Sequence, residues 1–370
     1  MKNNLLFLCL LVLTQNIFAQ LSYQFSSGFI AQECDDLLVL NEGFADTTKD
    51  KKFKTAIPGY KFLYRSKPIG LDNTWDLWLR EDSTVVITLR GTTPDQKSMF
   101  ANLYCAMMPP KGTIQLTKTS SFNYKIAEHE RAAVHAGYLA GFAYIANDAL
   151  PQIDSLYKQG FTNFLISGHS QGGAIAQIFS SWLHYLKKDK VYPNLNIKVY
   201  TIATPKYANM YYAYDYDNWM RAEWSFSVTN AYDPVPEVPL TTQMITDINE
   251  PNPFSEVKKE FKKQPFIKRL VLNMAFNSMR RKAEKSSKSY QKYLGKYGGN
   301  YLKDLTPGLE MPKQLNSTYF LRPGVPISLV PDDLYFEFFK TQNNQYYHHL
   351  FPAYRFLLRR QYEGLTPLSN

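Results

Sequence analysis

Residues 162–183 read TNFLISGHSQGGAIAQIFSSWL, and much of the architecture follows from them. TNFLIS is a short apolar run with strand character. Gly168-His169-Ser170-Gln171-Gly172 is a turn, and 173–188 carries Ala, Ile and Leu at helical spacing. Further apolar strands are expected at 199–203 (VYTIA) and 224–229 (WSFSVT) downstream. Upstream, 83–89 (STVVITL) runs into Arg90-Gly91-Thr92, and 59–65 and 75–80 read as short strands. Helices are expected over 28–43, 128–148 and 150–159, and the chain closes with a loop and helix over 346–362. Near-continuous apolar strands separated by helices predict an α/β fold: a mostly parallel sheet with helices on both faces.

The chain has 370 residues, 45% hydrophobic and 20% charged, which excludes wholesale disorder and allows a large core. Net charge is +10, but it is local. Residues 256–297 hold 13 Lys/Arg against 3 Asp/Glu, so the remainder is close to neutral. That segment lies in a Lys-, Ser- and Tyr-rich stretch, about 241–335, which breaks the strand–helix rhythm. It reads as a basic helical insertion before the final element, with a helix from Phe266 to Met279. Residues 1–19 carry Lys2, an apolar core and a small residue at Ala19, the pattern of a signal peptide. The domain is then 20–370, expected outside the cytoplasm: secreted, periplasmic or on the cell surface. Cys9 lies in this leader; Cys34 and Cys105 remain, and the sequence leaves open whether they pair. No Cys/His spacing points to zinc, and no metal or cofactor is expected.

The chemistry centres on Ser170. A serine hydroxyl is a poor nucleophile until a base removes its proton. A G-x-S-x-G turn between a strand and a helix lifts the hydroxyl out of the sheet and places it beside free N–H groups at the helix start. The chain has six histidines: 129, 135, 169, 184, 348 and 349. For the acid, Asp233 stands in a Pro-rich turn after a strand, while Asp215 and Asp217 lie in a Tyr-rich stretch with no clear strand before them.

Four segments together resemble the class 3 lipases, the fungal-type triacylglycerol lipase family of α/β-hydrolases: VVITLRGT (85–92), VHAGYLAGF (134–142), ISGHSQGGAIAQ (166–177) and TNAYDPVPEVP (229–239). VYTIATPKYAN (199–209) adds a strand and a Pro-basic turn. The resemblance covers roughly 60–240 and the chain end. It implies the order Ser, acid, His. Ser170 would be the nucleophile and Asp233 the acid, and the base falls to the pair His348 and His349. His349, followed by Leu-Phe-Pro-Ala-Tyr, fits the family pattern better, and His348 is the rival. The oxyanion hole would be the N–H groups of Thr92 and Gln171. Ala203 replaces a usual glycine, and Gln171 stands where leucine is common.

The resemblance implies a secreted serine hydrolase of acyl-lipid esters. Two alternatives remain: an esterase on non-lipid esters such as feruloyl or sugar esters, and a non-catalytic lipid- or anion-binding protein. Residues 95–125, rich in Met and aromatics, are either a flap facing lipid or a packed core segment. Residues 256–297 could lean on anionic membrane headgroups, with Phe266, Leu270, Leu272 and Phe276 as the apolar face. A charge run usually faces water, which favours a solvated insertion. No nucleic-acid partner is expected, and the oligomeric state is not legible.

Overall fold

A computed structural model of the chain describes residues 23–44, 57–342, 344 and 346–366. The expected signal peptide and Cys9 lie outside the described residues. In chain order the body holds α1 (Ala31–Glu42), β1 (Tyr60–Arg65), β2 (Trp75–Arg80) and β3 (Val85–Leu89). Then come α2 (Gln96–Leu103), β4 (Met107–Met108), β5 (Lys111–Gln115), β6 (Ser121–Lys125), β7 (Val134–His135) and α3 (Ala136–Lys158). The next units are β8 (Asn163–His169), α4 (Gln171–Lys188), β9 (Asn196–Ile202), α5 (Met210–Met220) and β10 (Ser225–Asn230). A helical excursion follows: α6 (Val257–Lys262), α7 (Phe266–Tyr290), a π-helical turn (Gln291–Tyr297) and α8 (Gly298–Leu305). The chain returns through β11 (Val325–Leu329), α9 (Asp333–Phe338) and α10 (Phe351–Gln361).

Among the described residues the main sheet has seven strands, ordered β1-β2-β3-β8-β9-β10-β11. β1 to β3 are antiparallel, and β3 through β11 are parallel. The expected mostly parallel α/β sheet is therefore present. Side chains alternate across it. Val85, Ile87 and Leu89 pack with α3, α4 and α5 on one face, while Val86 packs with α1 and α10 on the other. Both layers are closed, so the strands are apolar on both sides. Truncating such a residue to alanine costs about 2–5 kcal/mol.

Several expectations shift. The two helices expected at 128–148 and 150–159 are one helix, α3, which begins only at Ala136 and runs through Pro151. Buried Ala149 and Ile153 flank the proline, so packing overrides the local breaker. Residues 134–135 pair with β4 instead of joining the helix. The insertion expected at about 241–335 reaches less far, because β11 inside that range pairs with β10, Phe226 opposite Val325 through Asn230 opposite Leu329. Its stems meet where Thr242 bridges Thr318. Residues 95–125 divide. Met107 and Met108 are buried in the core and β5–β6 is a hairpin, whereas α2 exposes Met99 and Leu103. Cys34 and Cys105 are free and sit in separate apolar clusters.

Candidate active site

Ser170 occupies the junction between β8 and α4 with φ 57° and ψ −127°. That conformation is sterically disfavoured for a residue with a side chain, and such strain clusters at functional sites. Its own N–H donates to the Ile202 carbonyl (2.8 Å), and its carbonyl accepts from Gly173 (3.0 Å). The tight crossing explains the glycines. A Cβ at Gly168 would lie 2.2 Å from the Gly172 carbonyl oxygen, and one at Gly172 would lie 2.1 Å from that of Leu89. Ser170 is 8% exposed.

Asp233 follows β10 and turns inward. Its side chain is fully buried. Oδ1 accepts from the Val235 N–H (2.9 Å). Oδ2 accepts from the Tyr354 hydroxyl (2.8 Å) and lies 2.7 Å from His349 Nδ1. Three polar groups around this buried carboxylate fix its orientation. Burial and the negative charge at Asp233 push the Tyr354 hydroxyl well above its ordinary pKa, so it stays a donor.

The two histidines of the pair 348–349 meet different partners. His349 meets Asp233. His348 Nδ1 lies 2.7 Å from the Tyr335 hydroxyl, its ring stacks on Tyr335, and its carbonyl accepts from Asn230 (2.9 Å). Burial holds its pKa below the usual histidine range, opposed by the charge of Asp233.

His169, beside Ser170 in the chain, joins the two halves of the site. Its Nε2 lies 2.8 Å from the His349 carbonyl, and the two rings are 4.7 Å apart. Burial, and then the neighbouring His349, hold His169 well below the usual pKa. A neutral ring facing a carbonyl must carry its proton on Nε2. The structure thus brings Ser170, His349 and Asp233 to one end of the parallel strands. Asp215 and Asp217 sit on α5, where Asp215 accepts from Tyr185 (2.6 Å) and Asp217 from the Gly324 N–H (2.8 Å).

Thr92 and Gln171 flank the serine. A Cβ on Gly91 would lie 3.4 Å from that of Ser170, so the Gly91-Thr92 turn passes against it. Asn102 on α2 ties the two together: its Nδ2 donates to Thr92 Oγ1 (3.1 Å), and its Oδ1 accepts from Gln171 Nε2 (3.1 Å). Gln171 Nε2 also donates to the Ser98 carbonyl (3.2 Å). α2 therefore roofs the serine. Sequence reasoning missed Tyr354, Asn102 and the bridging role of His169. Tyr354 stood in the quoted 349–354 segment, but nothing local announces that a phenol reaches Asp233. Among the described residues no cluster of His, Cys, Asp or Glu is placed to hold a metal ion.

Residues 86–243 match the family model described as lipase (class 3). This part of the chain is similar to the class 3 lipases. The match takes in Ser170, Asp233, Thr92 and Gln171, and ends before His349. A secreted mono- and diacylglycerol lipase of Fusarium solani is 30% identical to the chain over 107 residues, 29% of each chain. A lipase of Rhizopus niveus is 31% identical over 84 residues, 22% of this chain and 21% of that protein. The chain thus spans less than a third of the length of these curated relatives. Among solved structures, Lip2 lipase from Yarrowia lipolytica superposes on 58% of this chain and 77% of its own, with a TM-score of 0.43 and 19% identity. A Rhizomucor miehei lipase propeptide complex gives 0.42, also at 19% identity, over 58% of this chain and 65% of that one.

Proposed function

We propose that the protein is a secreted serine hydrolase that cleaves carboxylic esters of acyl lipids through an acyl-enzyme. The observation that carries this is the buried carboxylate of Asp233 with His349 2.7 Å away, at the same end of the parallel strands as a serine in strained geometry. With Nδ1 of His349 engaged by Asp233, Nε2 is left to take the Ser170 proton. Ser170 Oγ then attacks the ester carbonyl, forming a C–O bond as the carbonyl electrons move to oxygen. The N–H groups of Thr92 and Gln171 receive that oxyanion. Its collapse expels the alcohol, which takes the proton from His349. Water, deprotonated by the same ring, then releases the acid. The residues supply this chemistry by themselves, with no metal or cofactor.

An acyl-lipid substrate is supported by the lipases among the relatives and by Met99 and Leu103, exposed on the helix that roofs Ser170. Because Ser98 and Asn102 anchor α2 over Gln171, α2 is the part of 95–125 that must move for a long ester to enter. Export is supported by the leader pattern at 1–19 and by the Fusarium relative, described as secreted.

The test is turnover of a short and a long p-nitrophenyl ester by wild type and Ser170→Ala. Loss by at least about 10³ in the variant is expected. A preference for the long ester supports the lipase reading, and a preference for the short one moves the substrate to non-lipid esters. Equal inertness of both proteins would leave a non-catalytic binding scaffold.

A further inference from the structure

Helix α7 leaves an apolar strip in water. Phe266, Ile267, Leu270, Val271 and Met274 are each at least 50% exposed. They recur at one-, three- and four-residue intervals, so they form one stripe along the first half of the helix. Scattered exposed apolar residues need no explanation, but a contiguous strip does. The sequence placed this face on Phe266, Leu270, Leu272 and Phe276. The structure turns Leu272 and Phe276 partly inward, with Phe276 lining a cavity beside Met244, Ile245 and Phe254. Ile267, Val271 and Met274 take their places outside.

The same side of the helix becomes basic in its second half. Arg281, Lys285 and Lys288 continue the helical spacing from Met274. They are exposed and make no ion pair among the described residues. α6 and its C-cap add Lys258, Lys259, Lys262 and Lys263, of which two pair with neighbouring glutamates. The helix is not a loose arm. Its C-terminal Tyr290 packs on Phe320 and Cys105's cluster, and α8 packs on α2, where Tyr301 stacks on Phe100 (4.3 Å) and meets Gln96 (2.5 Å).

We propose that this face of α7 docks the protein on an anionic lipid surface, the apolar half entering the acyl boundary and the basic half meeting phosphate headgroups. The proposal rests on the lipid-ester reading of the Ser170 site and names the surface from which that site draws its substrate. Charge decides between occupants. A second copy of the chain would oppose one strongly positive segment to another. An anionic bilayer offers negative charge and hydrocarbon in the layered order the helix presents. The docked helix is then linked through α8 to the helix that roofs Ser170.

The experiment is sedimentation of the purified full protein with vesicles of phosphatidylcholine, with and without one third phosphatidylglycerol. It is run at about 0.1 M and about 1 M salt, where the screening length falls from about 10 Å to about 3 Å. Wild type is expected to bind the anionic vesicles and to lose affinity by about tenfold or more on pure phosphatidylcholine or in high salt. The pair Ile267→Asp with Val271→Asp, and the pair Arg281→Glu with Lys285→Glu, should each weaken binding by about tenfold or more. Both should keep wild-type turnover of a soluble short ester, which also confirms that they fold. Ser170→Ala should bind vesicles as wild type does, so binding is read independently of catalysis. The proposal is overturned if wild type ignores anionic vesicles, or if either pair binds as wild type. It is also overturned if affinity is indifferent to charge and salt, or if wild type is a dimer that the Ile267/Val271 pair converts to monomer.

Discussion

At the residue scale, the site turns on which hydrogen bonds converge on Asp233. If His349 is the base, His349→Ala matches the loss in Ser170→Ala, while His348→Ala stays within about tenfold of wild type. Steady-state kinetics on one short ester separates the two. Tyr354→Phe removes a charge-assisted hydrogen bond worth about 1.5–3 kcal/mol. The expected result is a fall in kcat of about tenfold with little change in KM, and an acid limb of the kcat/KM profile moved to higher pH; a purely structural tyrosine would move neither. A second residue prediction concerns His135, fully buried and stacked on Tyr138 at 4.0 Å. Burial pushes its pKa down to about 3, against a small opposing pull from the Asn102 backbone. The unfolded chain binds that proton below about pH 6.5 and the folded one does not. Stability from this group is therefore full above pH 6.5 and lost as pH falls toward 3, by about 1.4 kcal/mol per pH unit. His135→Phe should flatten that part of a urea-midpoint profile. Ser170 and Asp233 stand in turns that the local sequence itself marks as candidate sites. The preference for His349 over His348 rested on the family pattern, and the Tyr354 contact was invisible because its partner lies more than a hundred residues away.

At the element scale, β8, its turn and α4 were legible because strand, glycine turn and amphipathic helix agree locally. α3 was read as two helices because Pro151 is a breaker in sequence and a tolerated residue in a packed helix. β11 was missed for a physical reason. VPISL contains a proline, which removes a ladder donor, and such strands survive only at sheet edges, where β11 lies. The basic excursion before it hid it further. The crossing of the turn over β3 makes a sharp prediction. Gly172→Ala places a methyl against the fixed carbonyls of Leu89 and Arg90, at 2.1 and 2.8 Å. Overpacking against backbone should cost about 1–3 kcal/mol or more and abolish ester turnover, read as a lowered Tm together with lost activity.

At the scale of the whole molecule, a buried ion cluster clamps three distant elements. Glu33 on α1 meets Arg80 on β2 at 2.5 Å and Lys198 on β9 at 2.6 Å, all nearly inaccessible to water. Glu33→Gln takes from buried Lys198 its acidic partner and leaves Arg80 with Asp82 alone, and a loss of about 3–5 kcal/mol in denaturant unfolding is expected. Composition foretold none of this, since a buried lysine looks like any other in sequence. It did foretell that the net charge resides in one segment, and that segment is the excursion. Asp233 precedes the excursion and His349 follows it, yet the two touch. The stems allow this: Thr242 bridges Thr318, and Thr241 Oγ1 donates to the Thr318 carbonyl at 3.1 Å and accepts from the Phe320 N–H at 2.8 Å. Once the ends are pinned, each doubling of the intervening chain costs only about 0.6 kcal/mol in closure entropy. Descendants of this chain can therefore lengthen, trim or exchange what lies beyond the threonines while Asp233 and His349 keep their places; on the proposed reading, the surface a lineage adheres to can then diverge faster than the bond it breaks.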